Sequence, residues 1–255
     1  MKKLLILFAL LPLLAACDNI DEDHRFIDMG DVTVERNVLL EEFTGQRCTN
    51  CPQAHAIIEQ LQEQYGDNLI VVSIHAGSFG IKAPVGLMQQ EGDTYASRWD
   101  ITTYPAGVVD RSGGQTTMDQ WAGVIRNDLE KPTDLNLSLE ANVSDDGKSI
   151  DVYTTMASTE SLTGSLQLWV VENGIVASQI DGDTVIRDYV HNNVFRACVN
   201  GLWGEEIALP ANEVKYASNS VEIQSVWDID NIYIVGFYYN GSGVVQVEKV
   251  KVKGI

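Results

Sequence analysis

The sequence predicts an α/β domain followed by an antiparallel β-sandwich. Up to about Lys131, short apolar runs alternate with segments whose apolar residues recur at helical spacing, which is typical of an α/β fold. From Leu135 onward the apolar period changes from 3.6 to 2, as expected for strands with one buried face. We therefore place a domain boundary in the short polar stretch 131–134.

The amino-terminal segment predicts export. Lys2 and Lys3 precede an apolar run over residues 4–14, which is shorter than the roughly 20 residues of a membrane-spanning helix. The ending Leu14-Ala-Ala-Cys17 resembles a bacterial lipobox. The resemblance implies cleavage before Cys17, lipid on that residue and attachment to a membrane through more than one acyl chain. The alternative is a plain secretory signal with an accidental cysteine.

Acidic residues dominate the segment that follows. Residues 17–36 show little apolar periodicity, so we interpret them as a solvated tether between the lipid and the first domain. They also resemble the signal that sends lipoproteins of Bacteroidetes to the cell surface, although a merely soluble linker is an equal alternative. The whole chain has a formal net charge of −19, which repels phosphate. We expect no nucleic-acid partner.

The α/β elements follow one another in a regular order. Gly66 is expected to end the first helix, and Gly77, Gly80 and Gly86 break the chain into a loop. The predicted elements are a strand over 38–43, a helix from Pro52 to Gly66, a buried strand over 69–74, a short helix over 87–99, a strand at 108–109 and a helix over 117–130.

The second half of the sequence predicts strands and turns. Residues 135–141, 150–153, 166–171 and 221–224 contain alternating apolar and polar positions, with turn signals at 145–147 and 240–243. About seven strands in this length suggest an Ig-like β-sandwich. The predicted organisation is a signal peptide at 1–16, the tether at 17–36, the α/β domain at 37–132 and the sandwich at 133–255.

Cys48-Thr-Asn-Cys51 lies between the first predicted strand and the first predicted helix. Free N–H groups and the positive end of the helix dipole would stabilise a thiolate at Cys48, which we expect to be exposed and nucleophilic. Cys51, one turn on and shielded, would resolve a mixed disulfide formed at Cys48. A structural disulfide and a zinc half-site are the alternatives. No second close-spaced Cys or His pair accompanies the motif, and we expect neither a metal nor a cofactor.

The surrounding residues resemble the thioredoxin superfamily. Glu42-Phe43 precedes Cys48 with the family's spacing, and Tyr104-Pro105 matches its cis-proline. The resemblance implies a thioredoxin-like domain over 37–132, with Glu42 as a buried proton relay for Cys51 and Pro105 beside the disulfide, shaping the substrate groove. Arg47 replaces the usual tryptophan, and its guanidinium should lower the pKa of Cys48.

A second resemblance extends over the mature chain. Segments 39–48, 191–196, 202–206 and 231–237 are similar to the twenty-eight-kilodalton outer-membrane protein family of Bacteroidetes lipoproteins. That family implies a lipid-anchored envelope protein with a thioredoxin-like half and a β-rich half. We interpret His191, Arg196, Trp203 and Glu205 as structural, and we expect the unpaired Cys198 to be buried.

Together these features predict a thiol–disulfide oxidoreductase, anchored to the outer membrane through Cys17 on its periplasmic or cell-surface face. Its partners would be the thiols and disulfides of envelope or extracellular proteins. The alternative is a surface binding protein or adhesin that uses the thioredoxin-like fold as a scaffold with a structural disulfide. The sequence leaves the oligomeric state and the direction of the redox reaction open.

Overall fold

The computed structural model describes residues 34–254, which form a mostly β protein. None of the helices in this part of the chain has the length and apolar character needed to cross a membrane. The α-helices are α1 (Cys51–Tyr65), α2 (Gln90–Arg98) and α3 (Trp121–Leu129). The strands are β1 (Val38–Thr44), β2 (Leu69–His75), β3 (Ala106–Val109), β4 (Gln115–Thr116), β5 (Leu135–Val143), β6 (Ser149–Ser158), β7 (Leu162–Glu172), β8 (Ile175–Asp181), β9 (Thr184–His191), β10 (Val194–Cys198), β11 (Glu205–Leu209), β12 (Val214–Glu222), β13 (Ile232–Asn240) and β14 (Gly243–Lys251).

Strand β1 lies at the centre of the first segment. It pairs in parallel with β2 and antiparallel with β3, and every residue of β1 is buried. Because successive side chains of a strand point to opposite faces, Leu40 packs with the core beneath α1 and α3. Leu39 and Phe43 pack on the other face, in a core that includes Trp169 and Phe237 of the second half.

The sheet continues into the second half of the chain. Its order is β14-β13-β7-β10-β2-β1-β3-β4, with β11 paired to β7 as well. The two halves join where β2 runs parallel to β10, and the Ser73 N–H donates to the Asn193 carbonyl at 2.7 Å. The Val244 N–H also donates to the Asp110 carbonyl at 2.7 Å, which joins β14 to the turn after β3.

Two smaller sheets complete the structure. Strands β12, β6 and β5 form a three-stranded sheet whose apolar face packs on β7 and β13, through residues such as Leu137, Met156, Leu168 and Ile234. Strands β8 and β9 form a separate two-stranded hairpin, called the β8–β9 hairpin below.

The predicted elements of the first segment are confirmed, with shorter helices α2 and α3. Helix α3 begins at Trp121 because Thr117 instead forms a turn, in which its N–H and hydroxyl bond the Gln120 side chain. The expected number of about seven strands after residue 133 is wrong, since the structure has ten. The β8–β9 hairpin, which has several exposed residues, is not among the strands predicted from the alternation, and the strand predicted over 221–224 overlaps only the end of β12.

A buried ion pair surrounded by aromatic rings links the two halves. Arg111 donates from Nε to Oε1 of Glu41 at 2.7 Å, and both side chains are almost completely buried. The guanidinium carbon lies 4.6 Å from the ring centroids of both Phe237 and Tyr239 and 5.2 Å from that of Trp169. The rings supply attraction for a cation that has lost its water, and Glu41 neutralises it.

Replacing Arg111 with methionine should lower the free energy of unfolding by about 3 kcal/mol, because Glu41 would remain buried without a partner. Urea denaturation measures the change. Arg126→Met, at an exposed position of α3, is the control and should change it by less than about 0.5 kcal/mol. The double variant Glu41→Gln with Arg111→Met should be more stable than Arg111→Met alone, and equal or lower stability would contradict the pairing.

Candidate functional site

Cys48 and Cys51 form a disulfide at the start of α1. Their Cα atoms are 5.4 Å apart, and Cys51 is the first residue of the helix. The Cys48 N–H donates to the Gly45 carbonyl at 2.9 Å, which closes a tight turn between β1 and α1. Asn50 precedes the helix without capping it through its side chain. The motif therefore has the strand, turn and helix arrangement that the sequence predicted.

The β8–β9 hairpin covers this motif. Cys48 is only 2% exposed, so the expectation of an exposed sulfur is wrong for this conformation. The Gln179 side-chain amide donates to the Cys48 carbonyl at 2.9 Å. Two backbone hydrogen bonds flank it, from Ile180 N–H to the Gln46 carbonyl at 2.9 Å and from Gly182 N–H to the Thr49 carbonyl at 3.2 Å. The hairpin thus binds the loop on both sides of Cys48.

Buried glutamines hold the hairpin in this place. Gln179 is fully buried and Gln46 is 2% exposed. Gln46 donates from Nε2 to the Ser178 carbonyl at 3.0 Å, and its Oε1 accepts from the Leu87 N–H at 3.0 Å. Since a buried amide left without partners is costly, these bonds favour the closed position of the hairpin.

Pro105 and Arg47 lie on neighbouring loops. The Tyr104–Pro105 peptide bond is cis, as the resemblance to the thioredoxin superfamily implied. The Tyr104 ring packs against Phe79 with centroids 5.3 Å apart, and the Phe79 carbonyl accepts from the Arg47 N–H at 2.9 Å. The Arg47 side chain is exposed. The loop that carries Pro105 therefore lies close to the loop that carries Cys48.

Glu42 is completely buried and is held by two neighbours. The Ser73 hydroxyl donates to Oε2 at 2.6 Å, and His55 Nε2 lies 3.2 Å from Oε1. His55 Nε2 is also 3.1 Å from Oγ1 of Thr44, and Nδ1 is 2.7 Å from the Tyr189 hydroxyl on the hairpin. His55 therefore connects the buried acid of β1 with the hairpin.

Burial opposes the charged form of His55, but the charge and hydrogen bond of Glu42 and the charge of Glu59 outweigh it. The pKa of His55 is consequently raised above its ordinary value. His75 and His191 behave in the opposite way. Burial, followed by the charge of a neighbouring histidine, lowers the pKa of His75 well below normal and that of His191 to about 4. At neutral pH these two imidazoles are uncharged.

The three histidines line one cavity of about 50 Å³, together with Glu59, Ser73 and Tyr189. A volume of this size can hold water. Nδ1 of His75 and Nε2 of His191 are buried and lack a hydrogen-bond partner among the described residues. Within residues 34–254, no group of three or more His, Cys, Asp or Glu side chains is arranged to hold a metal ion.

Sequence reasoning did not predict this cluster: it considered the three histidines only as nominal ligands of a zinc half-site, which it rejected, and it interpreted His191 as structural. One signal was available, because His55 follows Cys51 by four residues and so lies on the same face of α1. The contribution of Tyr189 had no local signal, since it comes from a hairpin 134 residues away.

The remaining candidate residues lie elsewhere. Cys198 is half-buried and forms no disulfide within residues 34–254, with Sγ 3.1 Å from the Tyr95 hydroxyl, and burial raises the pKa of its thiol to about 11. Arg196 pairs with Glu172, and Trp203 packs against Tyr95. Glu205 is exposed at the start of β11. Cys17, the signal peptide and nearly all of the tether lie outside the described residues.

Two solved structures share most of the fold. HBP35 of Porphyromonas gingivalis is 14% identical, with a TM-score of 0.70 over 86% of this chain and 76% of that chain. AGR_C_4864 from Agrobacterium tumefaciens is 12% identical, with a TM-score of 0.55 over 84% and 93%. At these identities the likeness concerns the fold alone. No curated protein matches the sequence.

The family comparison concerns the larger, carboxy-terminal part of the chain. A domain of the outer membrane lipoprotein Omp28 from Porphyromonas gingivalis is 22% identical over 48% of this chain and 90% of that chain, with a TM-score of only 0.35. The family model of outer membrane protein Omp28 matches residues 92–254. That match begins after Cys48 and Cys51, so it carries no information about their chemistry. It covers more than half of the chain, and the protein therefore belongs to the Omp28 family of outer membrane proteins.

Proposed function

We propose that this protein is a lipid-anchored thiol–disulfide oxidoreductase that exchanges disulfides with envelope or extracellular proteins. The observation that carries the proposal is the Cys48–Cys51 disulfide at the first turn of α1, directly after a buried strand. A helix N-terminus favours a thiolate, and two residues between the cysteines allow the disulfide to open and close within one turn.

The neighbouring elements support a thioredoxin-like unit over 37–132. Strand β1 lies between parallel β2 and antiparallel β3, as a thioredoxin-like unit requires. Glu42 is buried and the Tyr104–Pro105 bond is cis, which also agree with such a unit. The antiparallel strands after residue 133, which pack in two layers, are consistent with an Ig-like sandwich. In this proposal the shared nine-stranded sheet holds the two units together.

The exchange needs two steps. In the first, the Cys48 thiolate attacks a partner disulfide, and one partner sulfur leaves as a thiolate. In the second, Cys51 gives its proton towards Glu42, and its sulfur attacks Cys48 of the mixed disulfide. The Cys48–Cys51 bond forms, the bond from Cys48 to the partner breaks, and the second partner sulfur leaves as a thiolate. The partner gains two electrons, the protein loses two, and the reverse sequence oxidises a partner.

The other residues have supporting roles in this proposal. Pro105 shapes the groove in which the partner lies, and the guanidinium of Arg47 lowers the pKa of Cys48 in the reduced protein. The β8–β9 hairpin must move away from the loop before a partner protein can reach Cys48, because that residue is 2% exposed.

The same burial favours a second candidate, a surface binding protein or adhesin whose disulfide stays oxidised. In that case the β8–β9 hairpin is a permanent part of the scaffold. The two functions differ in one measurable property. After treatment with a mild reductant, an exchange enzyme offers an alkylatable Cys48, whereas a scaffold disulfide stays closed.

Membrane attachment through Cys17 is also a proposal. Membership of an outer membrane protein family and the sequence Leu14-Ala-Ala-Cys17 support it. Acyl chains on Cys17 would hold the protein at the membrane, with the acidic segment up to Arg36 as a tether.

The roles of the two cysteines can be separated by trapping in cells. Cys51→Ser keeps the attacking sulfur but cannot release a partner, so it should accumulate mixed disulfides that dithiothreitol dissolves. Cys48→Ser should not, because the sulfur that it retains lies within the first turn of α1, whereas the hairpin that must move covers Cys48. Cys198→Ala in the Cys51→Ser background is the control and should leave the adducts unchanged. Equal trapping by both single variants would mean that the assigned nucleophile is wrong, and no adducts at all would favour the scaffold.

The cover over Cys48 can be loosened at Gln179. Gln179→Ala removes its amide hydrogen bond to the Cys48 carbonyl, which is worth about 1 kcal/mol, so alkylation of reduced Cys48 should accelerate by roughly fivefold to tenfold. Mass spectrometry of iodoacetamide adducts follows the rate. Gln167→Ala removes an equally buried glutamine from β7 and should leave the rate unchanged. The same rate in all three proteins would show that the hairpin does not control access.

Lipidation can be tested by metabolic labelling with a fatty acid. Cys17→Ala should lose the acyl label and leave the membrane fraction, because the attachment site for the acyl chains is gone. Cys198→Ala, which removes a different cysteine, should keep both. A Cys17→Ala protein that retained the label would rule out this anchor.

A further inference from the structure

We propose that His55 is a positioning residue that passes the proton of Cys51 from Glu42 to the cavity beneath the hairpin. The inference rests on the proposed function, since it concerns the step in which Cys51 resolves a mixed disulfide. Nothing in the resemblances or the family comparison assigns a role to His55.

Glu42 is isolated from solvent. Its side chain is 0% exposed, so a proton that it receives cannot pass directly to bulk water. A buried carboxylate is also costly unless a cation and hydrogen bonds compensate it. His55, with Nε2 at 3.2 Å, is the ionic partner of Glu42 within the described chain, and the Ser73 hydroxyl supplies a hydrogen bond.

The other ring nitrogen of His55 faces a route by which a proton can reach solvent. Nδ1 lies 2.7 Å from the Tyr189 hydroxyl, and the ring lines the cavity of about 50 Å³. Tyr189 is partly exposed, and the cavity is large enough for water. An imidazole can take a proton on one nitrogen and release one from the other, so His55 can connect Glu42 with this exit.

Charged and titratable groups surround His55. Glu42 faces it from β1 and Glu59 from its own helix, while His75 of β2 and Tyr189 and His191 of β9 complete the surroundings. The two carboxylates favour a protonated His55, whereas the pKa values of His75 and His191 are lowered. Among the cavity histidines, His55 is thus the one whose protonated form its surroundings favour.

In the resolving step, the proton of Cys51 moves away through Glu42 and His55. The Cys51 thiol loses its proton to Glu42, His55 in its neutral form accepts that proton at Nε2, and the imidazolium so formed releases the proton on Nδ1 to a water of the cavity. The Cys51 sulfur then forms its bond to Cys48, and the partner sulfur leaves with the electron pair of the broken bond. No further oxidant or reductant takes part.

The test uses 5,5′-dithiobis(2-nitrobenzoate) with the full chain, reduced and solubilised in detergent, in a Cys198→Ala background. One thionitrobenzoate leaves when Cys48 attacks the reagent, and a second leaves when Cys51 resolves the adduct, so the two steps give two phases. His55→Gln keeps a donor for Glu42 but cannot titrate. It should slow the second phase at least about tenfold near pH 7 and flatten its pH profile, while the first phase changes by less than about twofold.

His75→Gln is the matched control. It removes another imidazole from the same cavity, one that is already neutral, and should leave the second phase and its profile unchanged. Tyr189→Phe keeps the ring but removes the oxygen beside Nδ1. This change should move the midpoint of the profile to lower pH, because the protonated imidazole loses a hydrogen-bond acceptor.

The outcomes separate the two proposals. A wild-type protein that releases no thionitrobenzoate, or only one equivalent, overturns the exchange function itself. If the wild type shows two phases and His55→Gln has the same pH profile of the second phase, only the role of His55 is overturned. The same conclusion follows if His75→Gln slows the second phase as much as His55→Gln does. If circular dichroism shows that His55→Gln is unfolded, Tyr189→Phe decides, and an unshifted midpoint then overturns the inference.

Discussion

The parallel contact between β2 and β10 determines what surrounds the cysteine motif. The chain reaches β10 directly from the β8–β9 hairpin, so placing Val194 beside Ser73 leaves the hairpin above the amino-terminal end of α1. Its bonds to Gln46, Cys48 and Thr49 follow from that position. The strands β8 and β9 pair only with each other, and hydrogen bonds connect them to the loop of Cys48. Such an element can open at a lower free energy than a strand in the core of a larger sheet. The fold thereby combines a closed disulfide with a cover that belongs to neither of the larger sheets.

Strand β1 carries a second constraint, because two neighbouring acidic residues are both fully buried. Alternation along the strand sends Glu41 and Glu42 to opposite faces of the sheet. Glu41 meets Arg111 among aromatic rings, and Glu42 meets His55. The two partners differ in a chemically important way. A guanidinium stays charged at any physiological pH and serves stability, whereas an imidazole can lose its proton there and is suited to proton transfer.

The β8–β9 hairpin and the Glu42–His55 pair bear on both candidate functions. A permanently closed hairpin makes Cys48 and Cys51 a structural disulfide within a binding scaffold, and an opening hairpin makes them a redox pair. Tyr189 belongs to the hairpin and contacts His55, so opening would also change the surroundings of the Glu42–His55 pair. Access to the sulfur and the pathway of the proton would then depend on one element of the fold.

The sequence by itself determined the local structure of the first segment. The order of β1, α1 and β2 and the start of α1 at the cysteine motif were predictable, because periodicity, turn residues and motif spacing act over a few positions. The cis bond before Pro105 was expected only from the resemblance to the thioredoxin superfamily. The tertiary structure alone decided that Cys48 is covered, that Glu42 pairs with His55 and that Arg111 lies among aromatic rings. Gln179 and Tyr189 lie more than 130 residues from the groups they contact, and the hairpin that carries them has exposed and polar positions without a strong apolar pattern. Contacts across such distances arise from sheet pairing and packing, which leave no periodic signal in the chain.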